Sequence, residues 1–198
     1  MRRALACAAL AGCFTGPVAQ ETVVAPARPN DAAFLLDVDG LGPIRAGTRA
    51  TLAELKPMFP AYRVVTEGLD SSLQYDVFDG RDQIFYVVPE ITEPDEDLVF
   101  AVHVTSPRIL ERAHGWRVGD AFTGRTAIDR CDCWGNPDER NEVAACYRTG
   151  SHIALVFERG AHGLACPGEL DAKRFAGALG MRIDRLVWKR KAFGTSDD

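Results

Sequence analysis

The 198-residue sequence predicts an α+β domain, in which an antiparallel sheet carries a few short helices on one side. Strand-like runs follow one another through hairpin signals, and only a few short amphipathic segments interrupt them, which is typical of this class. The order of these elements also recurs along the chain. We therefore expect a single domain over residues 32–190, with two similar halves at residues 32–112 and 113–190.

The N-terminus is predicted to be a targeting signal and not part of the fold. Two arginines precede a short apolar stretch, so residues 1–12 have the pattern of a secretory signal peptide. Residues 10–13 have the sequence Leu-Ala-Gly-Cys, which resembles a bacterial lipobox and implies that Cys13 becomes the acylated first residue, held on a membrane by its acyl chains. The alternative is an ordinary secretory signal cut near residue 20. The following residues, 13–31, are expected to form the anchor and a linker.

The first half is predicted to contain one short helix and four strands. Thr51 and Glu54 form a capping box at the start of the helix, and Pro57 limits its length. Asp79 and Gly80 form a strong two-residue hairpin signal. The strand-like runs cover residues 62–66, 72–78, 83–88 and 98–104.

The second half repeats this order more weakly. The Ile-Arg-Ala-Gly sequence at residues 44–47 has a counterpart, Trp-Arg-Val-Gly, at residues 116–119. Short helical stretches are predicted at residues 123–129 and 169–179. Strands are predicted at residues 143–147, 151–158 and 181–189, and residues 191–198 form a polar tail.

Four cysteines remain after the predicted signal and Cys13 are set aside, namely Cys131, Cys133, Cys146 and Cys166. An even number within a short stretch of an exported chain is typical of two disulfides, and three pairings are open. The alternative is a zinc ion held by Cys131, Cys133 and Cys146, with a fourth ligand from His152 or Cys166. The single residue between Cys131 and Cys133 is unusual for a structural zinc site, so disulfides are favoured.

Composition excludes several functional classes. The net charge of −5 and the lack of a basic cluster typical of nucleic-acid binding make nucleic acid a poor partner. No phosphate loop, dinucleotide fingerprint or His-Glu-x-x-His metal motif is present, so no cofactor and no metal are expected.

A few side chains are candidates for chemistry or recognition. Ser151 and His152 are adjacent, and His103 lies in an alternating strand pattern, so a small hydrolase would use His152 with Ser151 or His103. Trp134 is a candidate recognition residue, although packing on a disulfide is the plainer interpretation. The C-terminal end is basic and is a candidate for contact with anionic lipid or envelope polymer through Arg182, Arg185, Lys189, Arg190 and Lys191.

Residues 116–190 resemble the RpoE-regulated lipoprotein family, an envelope family with no assigned biochemical activity. The resemblance is carried by Val118, Gly119, Phe122, Cys133, Cys146, the stretch 150–153, Phe157 and the stretch 186–190. It implies an exported, lipid-anchored α+β domain with a disulfide between Cys133 and Cys146. Cys131 and Cys166 depart from the family pattern, and would form a second bridge.

These observations together predict a non-catalytic bacterial cell-envelope lipoprotein that binds a protein or cell-wall partner. The expected location is the periplasm, and the absence of an Asp after Cys13 favours anchoring in the outer membrane. The alternative function is the small periplasmic hydrolase that uses His152.

Overall fold

The computed structural model of the protein describes seven stretches of the chain, which form two sheets and one helix. These stretches are residues 32–69, 72–92, 95–122, 128–134, 143–158, 170–171 and 182–195. The predicted signal and the linker up to residue 31 lie outside them. Of the helix predicted at residues 169–179, only Leu170 and Asp171 are described, and they form a short strand instead.

Nine strands form one large sheet in which every neighbouring pair is antiparallel. Their order across the sheet is β12 (Leu170–Asp171), β9 (Arg130–Trp134), β10 (Val143–Tyr147), β11 (Ile153–Glu158), β13 (Arg185–Lys189), β7 (Val99–Val104), β6 (Asp82–Pro89), β5 (Ser72–Asp79) and β4 (Arg63–Leu69). The two predicted halves of the chain meet where β13 pairs with β7. Each half therefore supplies one contiguous part of the sheet.

The smaller sheet has four short strands and one position that only glycine can occupy. Its order is β3 (Ile44–Arg45), β2 (Gly40–Leu41), β1 (Phe34–Asp37) and β8 (Ile109–Glu111), with β1 and β8 parallel. Gly40 has φ +144°, and a Cβ atom there would lie 1.9 Å from the Ile44 carbonyl oxygen. The close approach of β2 to β3 thus requires a residue without a side chain.

The helix α1 (Leu52–Met58) begins where the capping box predicts. The Thr51 hydroxyl accepts a hydrogen bond from the Glu54 N–H at 3.3 Å. Pro57 lies in the last turn, and the helix ends one residue later. Leu55 and the following Phe59 are buried, so α1 covers the large sheet beside β4. Both the start and the short length agree with the sequence.

The large sheet buries apolar side chains on both faces, because successive residues of a strand point to opposite sides. The main core lies on the face that also packs against α1 and the small sheet; it includes Phe85, Leu155 and Trp188. The Trp188 indole N–H donates to the Val38 carbonyl at 3.0 Å, which ties the two sheets together. A smaller cluster, including Ala154 and Val187, lies on what we call the second face.

The turn at the sequence repeat in each half uses the same pattern of hydrogen bonds. The Arg45 N–H donates to the Thr48 hydroxyl at 2.9 Å, and the Thr48 N–H donates back to the Arg45 carbonyl at 3.0 Å. In the second half the Arg117 N–H donates to the Asp120 carboxylate at 2.8 Å, and the Asp120 N–H donates to the Arg117 carbonyl at 3.2 Å. The Arg-containing sequence repeat therefore corresponds to a repeated local turn.

The fold contains more sheet than the sequence predicts. Antiparallel pairing is confirmed, but α1 is the one helix in the described ranges, so the expectation of a few short helices holds only in part. The predicted helix at residues 123–129 is described only at 128–129, which are not helical. The small sheet was missed because strands of two to four residues carry too little alternation to be recognised.

Candidate functional site

A groove of about 590 Å³ lies on the second face of the large sheet. Its floor is formed by the methyl groups of Ala101 on β7 and Ala145 on β10, with Val187 on β13. Phe100 and Phe193 rise beside these small side chains as walls. Ligand sites are typically concave, mostly apolar and about 300–1,000 Å³ in volume, so the groove has the size and lining of a binding site.

The acidic residues of the groove already have partners. The Glu90 carboxylate accepts hydrogen bonds from the Thr92 hydroxyl at 2.8 Å and the Ile91 N–H at 3.1 Å, and Arg190 lies 3.7 Å away. Burial alone would raise the pKa of Glu90, but these hydrogen bonds and the arginine outweigh it and lower the pKa. Glu90 is therefore ionised at neutral pH and is held in place.

Asp132 lines the far end of the groove, on β9. Its carboxylate accepts a hydrogen bond from the Tyr147 hydroxyl and lies 3.3 Å from the Arg130 guanidinium. Both contacts come from neighbouring positions of the sheet, so the carboxylate is oriented before any ligand arrives.

Two lysines supply positive charge at the opposite end. The Lys189 ammonium lies 5.2 Å from the centre of the Phe100 ring and 4.9 Å from that of Phe193, within the range of cation–π attraction. Lys191 is exposed at the rim. The groove thus combines an apolar floor with two lysines at one end.

His103 lines the groove from β7 and is held as a neutral ring. It stacks on Tyr86 with ring centres 4.5 Å apart and planes 5° apart, and the Tyr86 hydroxyl accepts a hydrogen bond from Arg185 at 2.9 Å. Burial, and then the charge of Arg185, lower the pKa of His103 from 6.5 to about 3. Among the described residues its buried Nδ1 atom has no hydrogen-bond partner.

Asp76 lies on the same face, on β5 directly opposite Tyr86 in the sheet. It is 1% exposed and accepts a hydrogen bond from the Gln74 amide at 2.9 Å. Burial, and then the hydrogen bond and negative charge of Glu67, raise the pKa of Asp76 to about 6. A row of polar side chains therefore crosses the second face from β4 to β13.

The predicted Ser151 and His152 pair makes backbone contacts. The Ser151 hydroxyl donates to the Ile153 carbonyl and accepts from the Ile153 N–H, both at 3.0 Å. The His152 Nδ1 lies 2.9 Å from the Lys189 carbonyl oxygen, to which it donates. These are the contacts of a turn hydroxyl and an anchored ring. Among the described residues that line the groove, neither Ser151 nor His152 is found.

The disulfide differs from the one that the family resemblance implies. Cys146 is bonded to Cys131 and not to Cys133. The reason is the register of β9 and β10: Cys131 lies directly opposite Cys146 with the Cα atoms 4.0 Å apart, whereas Cys133 lies opposite Ala144. Both bonded cysteines are fully buried in the main core. Cys166 lies outside the described residues.

The remaining predicted site residues are Cys13, Trp134 and the basic residues near the C-terminus. Cys13 lies outside the described part of the chain, and only the backbone of Trp134 is described, in β9. Of the basic C-terminal residues, the two lysines line the groove, while the three arginines hold other groups. Arg182 donates to the Gly119 carbonyl, Arg185 to Tyr86, and Arg190 to Asp95.

The described ranges hold neither a grouped set of metal ligands nor a membrane-spanning helix. Within the described ranges no three His, Cys, Asp or Glu side chains are grouped so that they would hold a metal ion. No helix in those ranges is both long enough and apolar enough to cross a membrane.

The groove was not found from the sequence. Its floor residues are small and apolar, come from strands far apart in the chain, and share no motif. The sequence carries only a weak signal for the groove. His103 is a polar residue on one face of an apolar strand, and Lys189 and Lys191 are two residues apart. Only the pairing of β13 with β7 brings these positions together.

Comparison with known proteins bears on the fold alone. No family model and no curated protein matches the sequence. The fold resembles that of yfeY. This uncharacterized protein from Escherichia coli, known from a crystal structure, has a TM-score of 0.54 and 17% sequence identity to the chain. The match covers 78% of this chain and 98% of yfeY, so nearly the whole neighbour shares the architecture.

Proposed function

We propose that the protein is a non-catalytic cell-envelope lipoprotein, anchored through acylated Cys13, that binds a protein or cell-wall partner in the groove on its second face. The observation that carries this proposal is the groove itself, with a volume of about 590 Å³ and an apolar floor between charged ends. A surface of this kind is suited to holding a ligand.

Three features support the proposed location. The Leu-Ala-Gly-Cys sequence at residues 10–13 fits a lipobox. Residues 116–190 resemble the RpoE-regulated lipoprotein family. The buried disulfide between Cys131 and Cys146 also fits an oxidising compartment such as the periplasm. We therefore assign the chain to this family as part of the proposal.

Binding without catalysis is favoured by how the candidate catalytic groups are engaged. A nucleophile needs a base within about 2.6–3.2 Å that is free to take its proton. The Ser151 hydroxyl and the His152 ring instead form hydrogen bonds with the backbone. The pKa of His103, lowered to about 3 by burial and by Arg185, makes this ring a weak base at neutral pH. Neither Ser151 nor His152 is among the described residues that line the groove.

Site-specific photo-crosslinking in cells tests the proposal. A benzoyl-phenylalanine at Lys191, an exposed residue on the groove rim, is expected to give a discrete product with an envelope protein or a wall fragment. The control is the same residue at Ala53, which is exposed on α1, away from the groove. Equal products from both positions, or none from Lys191, would contradict a binding role for the groove.

A parallel experiment tests the anchor. Cys13→Ser is expected to move the protein from the membrane fraction to the soluble periplasmic fraction, because the acyl chains would be lost. Persistence of the variant in the membrane fraction would argue against lipid anchoring and leave the groove result unaffected.

A further inference from the structure

The large sheet ends on one side at β4, a strand of seven residues whose outer side has no partner strand in the described part of the chain. Its pairing with β5 runs from Arg63 to Leu69 without a register shift. Every second residue of such an edge strand directs its backbone N–H and C=O groups outward, where they can pair with another strand. Proteins often block long edges with proline, lysine or a bulge, and β4 has none of these.

The two charged residues of β4 have opposite signs and lie on one face of the strand, with Val65 between them. Arg63 and Glu67 are both exposed, and Val65 is half-buried. The Arg63 guanidinium lies 4.2 Å from the centre of the Phe78 ring, and Glu67 shares a hydrogen bond with Asp76. Among the described residues neither Arg63 nor Glu67 forms an ion pair, so each charge can still take a partner.

This charge pattern is complementary to itself when two copies of β4 run antiparallel. With a two-fold axis at Val65, Arg63 of each copy lies directly opposite Glu67 of the other, which gives two cross-strand ion pairs. Opposite charges in such positions stabilise a sheet, and like charges destabilise it. Moving the axis by one residue, to Thr66, would put Arg63 opposite Leu69 and lose both pairs. The charges therefore select one register.

A second observation at the same edge favours this register. Leu73 on β5 is 39% exposed and lies directly opposite Gly68 on β4. A Cβ atom at Gly68 would meet nothing within 4 Å, so the surface beside Leu73 is open. Extended by one residue at each end, the register with its axis at Val65 places Tyr62 of the second copy opposite Gly68. An aromatic ring over a strand glycine would cover the exposed leucine.

We propose that the protein forms a two-fold symmetric dimer in which β4 pairs antiparallel with β4 of a second copy, with Val65 on the axis. The two large sheets then become one continuous sheet, and the outward backbone groups of both edge strands are paired. The groove lies on β7, β13, β10 and β9, separated from this edge by β5 and β6, and stays open in the dimer. The inference therefore does not depend on what the groove binds.

Disulfide trapping tests the position of the axis. In Val65→Cys the two introduced thiols would lie directly opposite each other, with Cα atoms about 4.5–5.5 Å apart, as Cys131 and Cys146 lie opposite each other within the chain. Oxidation of the purified full-length variant with copper-phenanthroline is expected to give a covalent dimer. Peptide mapping is expected to find the two peptides that contain position 65 linked to each other.

The control for the trapping experiment is Thr66→Cys, at the next position of the same strand, which is exposed. With the axis at Val65, the Cα atoms at position 66 lie about 8 Å apart, beyond the limit of about 7 Å for a disulfide. We therefore expect little covalent dimer from this variant. The control also reports chance contact, for example between chains that share a detergent micelle.

Charge reversal tests the ion pairs by sedimentation equilibrium. Arg63→Glu places like charges opposite each other twice and is expected to weaken dimerisation about tenfold. Adding Glu67→Arg to this variant restores opposite charges and is expected to restore dimerisation. Arg148→Glu, a matched reversal at an exposed arginine after β10, is expected to leave it unchanged. Circular dichroism checks that each variant is folded.

Several results would overturn the proposed dimer. These are no covalent dimer from a folded Val65→Cys variant, as much dimer from Thr66→Cys as from Val65→Cys, or a folded double reversal that dimerises no better than Arg63→Glu. If Val65→Cys does not fold, sedimentation decides: a wild-type protein that stays monomeric, or an Arg63→Glu variant that dimerises like the wild type, refutes the pairing of β4 with itself.

Discussion

His103 and Asp76 are predicted to give the folding stability two opposite dependences on pH. The pKa of His103 is lowered from 6.5 to about 3, by burial and then by Arg185. The pKa of Asp76 is raised from 3.8 to about 6, by burial and then by Glu67. Stability depends on pH wherever the folded and unfolded chains bind different numbers of protons.

The sign follows from which state holds the proton. Below pH 6.5 the unfolded chain protonates His103 and the folded chain does not, so this group favours unfolding as the pH falls. Proton linkage at His103 therefore lowers the free energy of unfolding by about 2 kcal/mol between pH 7 and pH 5. Asp76 does the reverse, because the folded chain takes up its proton near pH 6 while the unfolded chain stays ionised down to 3.8. Asp76 therefore raises the free energy of unfolding by about 1 kcal/mol over the same pH range.

The two variants that separate these effects are His103→Phe and Asp76→Asn. Phenylalanine keeps a flat ring for the stack on Tyr86 and cannot be protonated. Asparagine keeps a side-chain oxygen to accept the Gln74 hydrogen bond and cannot ionise. The free energy of unfolding of the wild type and both variants is measured by urea titration at pH 7 and pH 5.

Between pH 7 and pH 5, we expect the free energy of unfolding of His103→Phe to rise by about 2 kcal/mol relative to that of the wild type. We expect that of Asp76→Asn to fall by about 1 kcal/mol relative to the wild type. The double variant should fall between them, close to the sum of the two changes unless the groups couple through Tyr86. Parallel pH profiles for the wild type and His103→Phe would refute the assignment of a neutral, buried histidine.

Three further predictions concern the framework. Non-reducing peptide mapping is expected to recover peptides linked through Cys131 and Cys146. Cys146→Ser should lower the free energy of unfolding by about 3 kcal/mol, the value for a loop of this length. An unchanged denaturant midpoint in this variant would contradict the bridge. Gly40→Ala should lower the free energy of unfolding by several kcal/mol, because the added Cβ would overlap a backbone carbonyl. Gly47→Ala, which has open space around it, should lower it by under about 1 kcal/mol. Equal thermal midpoints of the two variants would disprove the close approach at Gly40. Thr51→Ala should cost about 1 kcal/mol through the lost helix cap, measured by urea unfolding, while Thr51→Ser should retain most of that stability.

The local signals in the sequence predict the larger elements well. The capping box at Thr51 and the proline at position 57 bracket α1. The predicted hairpin joins β5 to β6, although its two-residue turn is Gly80–Arg81, one residue later than predicted, with Gly80 at φ +61°. Strand β10 has the predicted bounds, 143–147. These features succeed because each depends on a few residues that are adjacent in the chain.

The features that failed depend on register or on distant pairing. Choosing Cys131 over Cys133 as the partner of Cys146 requires knowing how β9 aligns with β10, and a shift by two residues would exchange the two cysteines. The groove depends on the contact of β13 with β7, which joins residues over 80 positions apart. No hydrophobic period in a single sequence encodes that contact.

The measurement that bears most directly on the account is the intact mass of the protein extracted from cell envelopes, recorded before and after reduction. We predict a chain that begins at residue 13, carries added acyl mass, and gains at least two hydrogens on reduction, as the bridge between Cys131 and Cys146 requires. A chain that retains Met1, carries no acyl mass and has the same mass before and after reduction would contradict it.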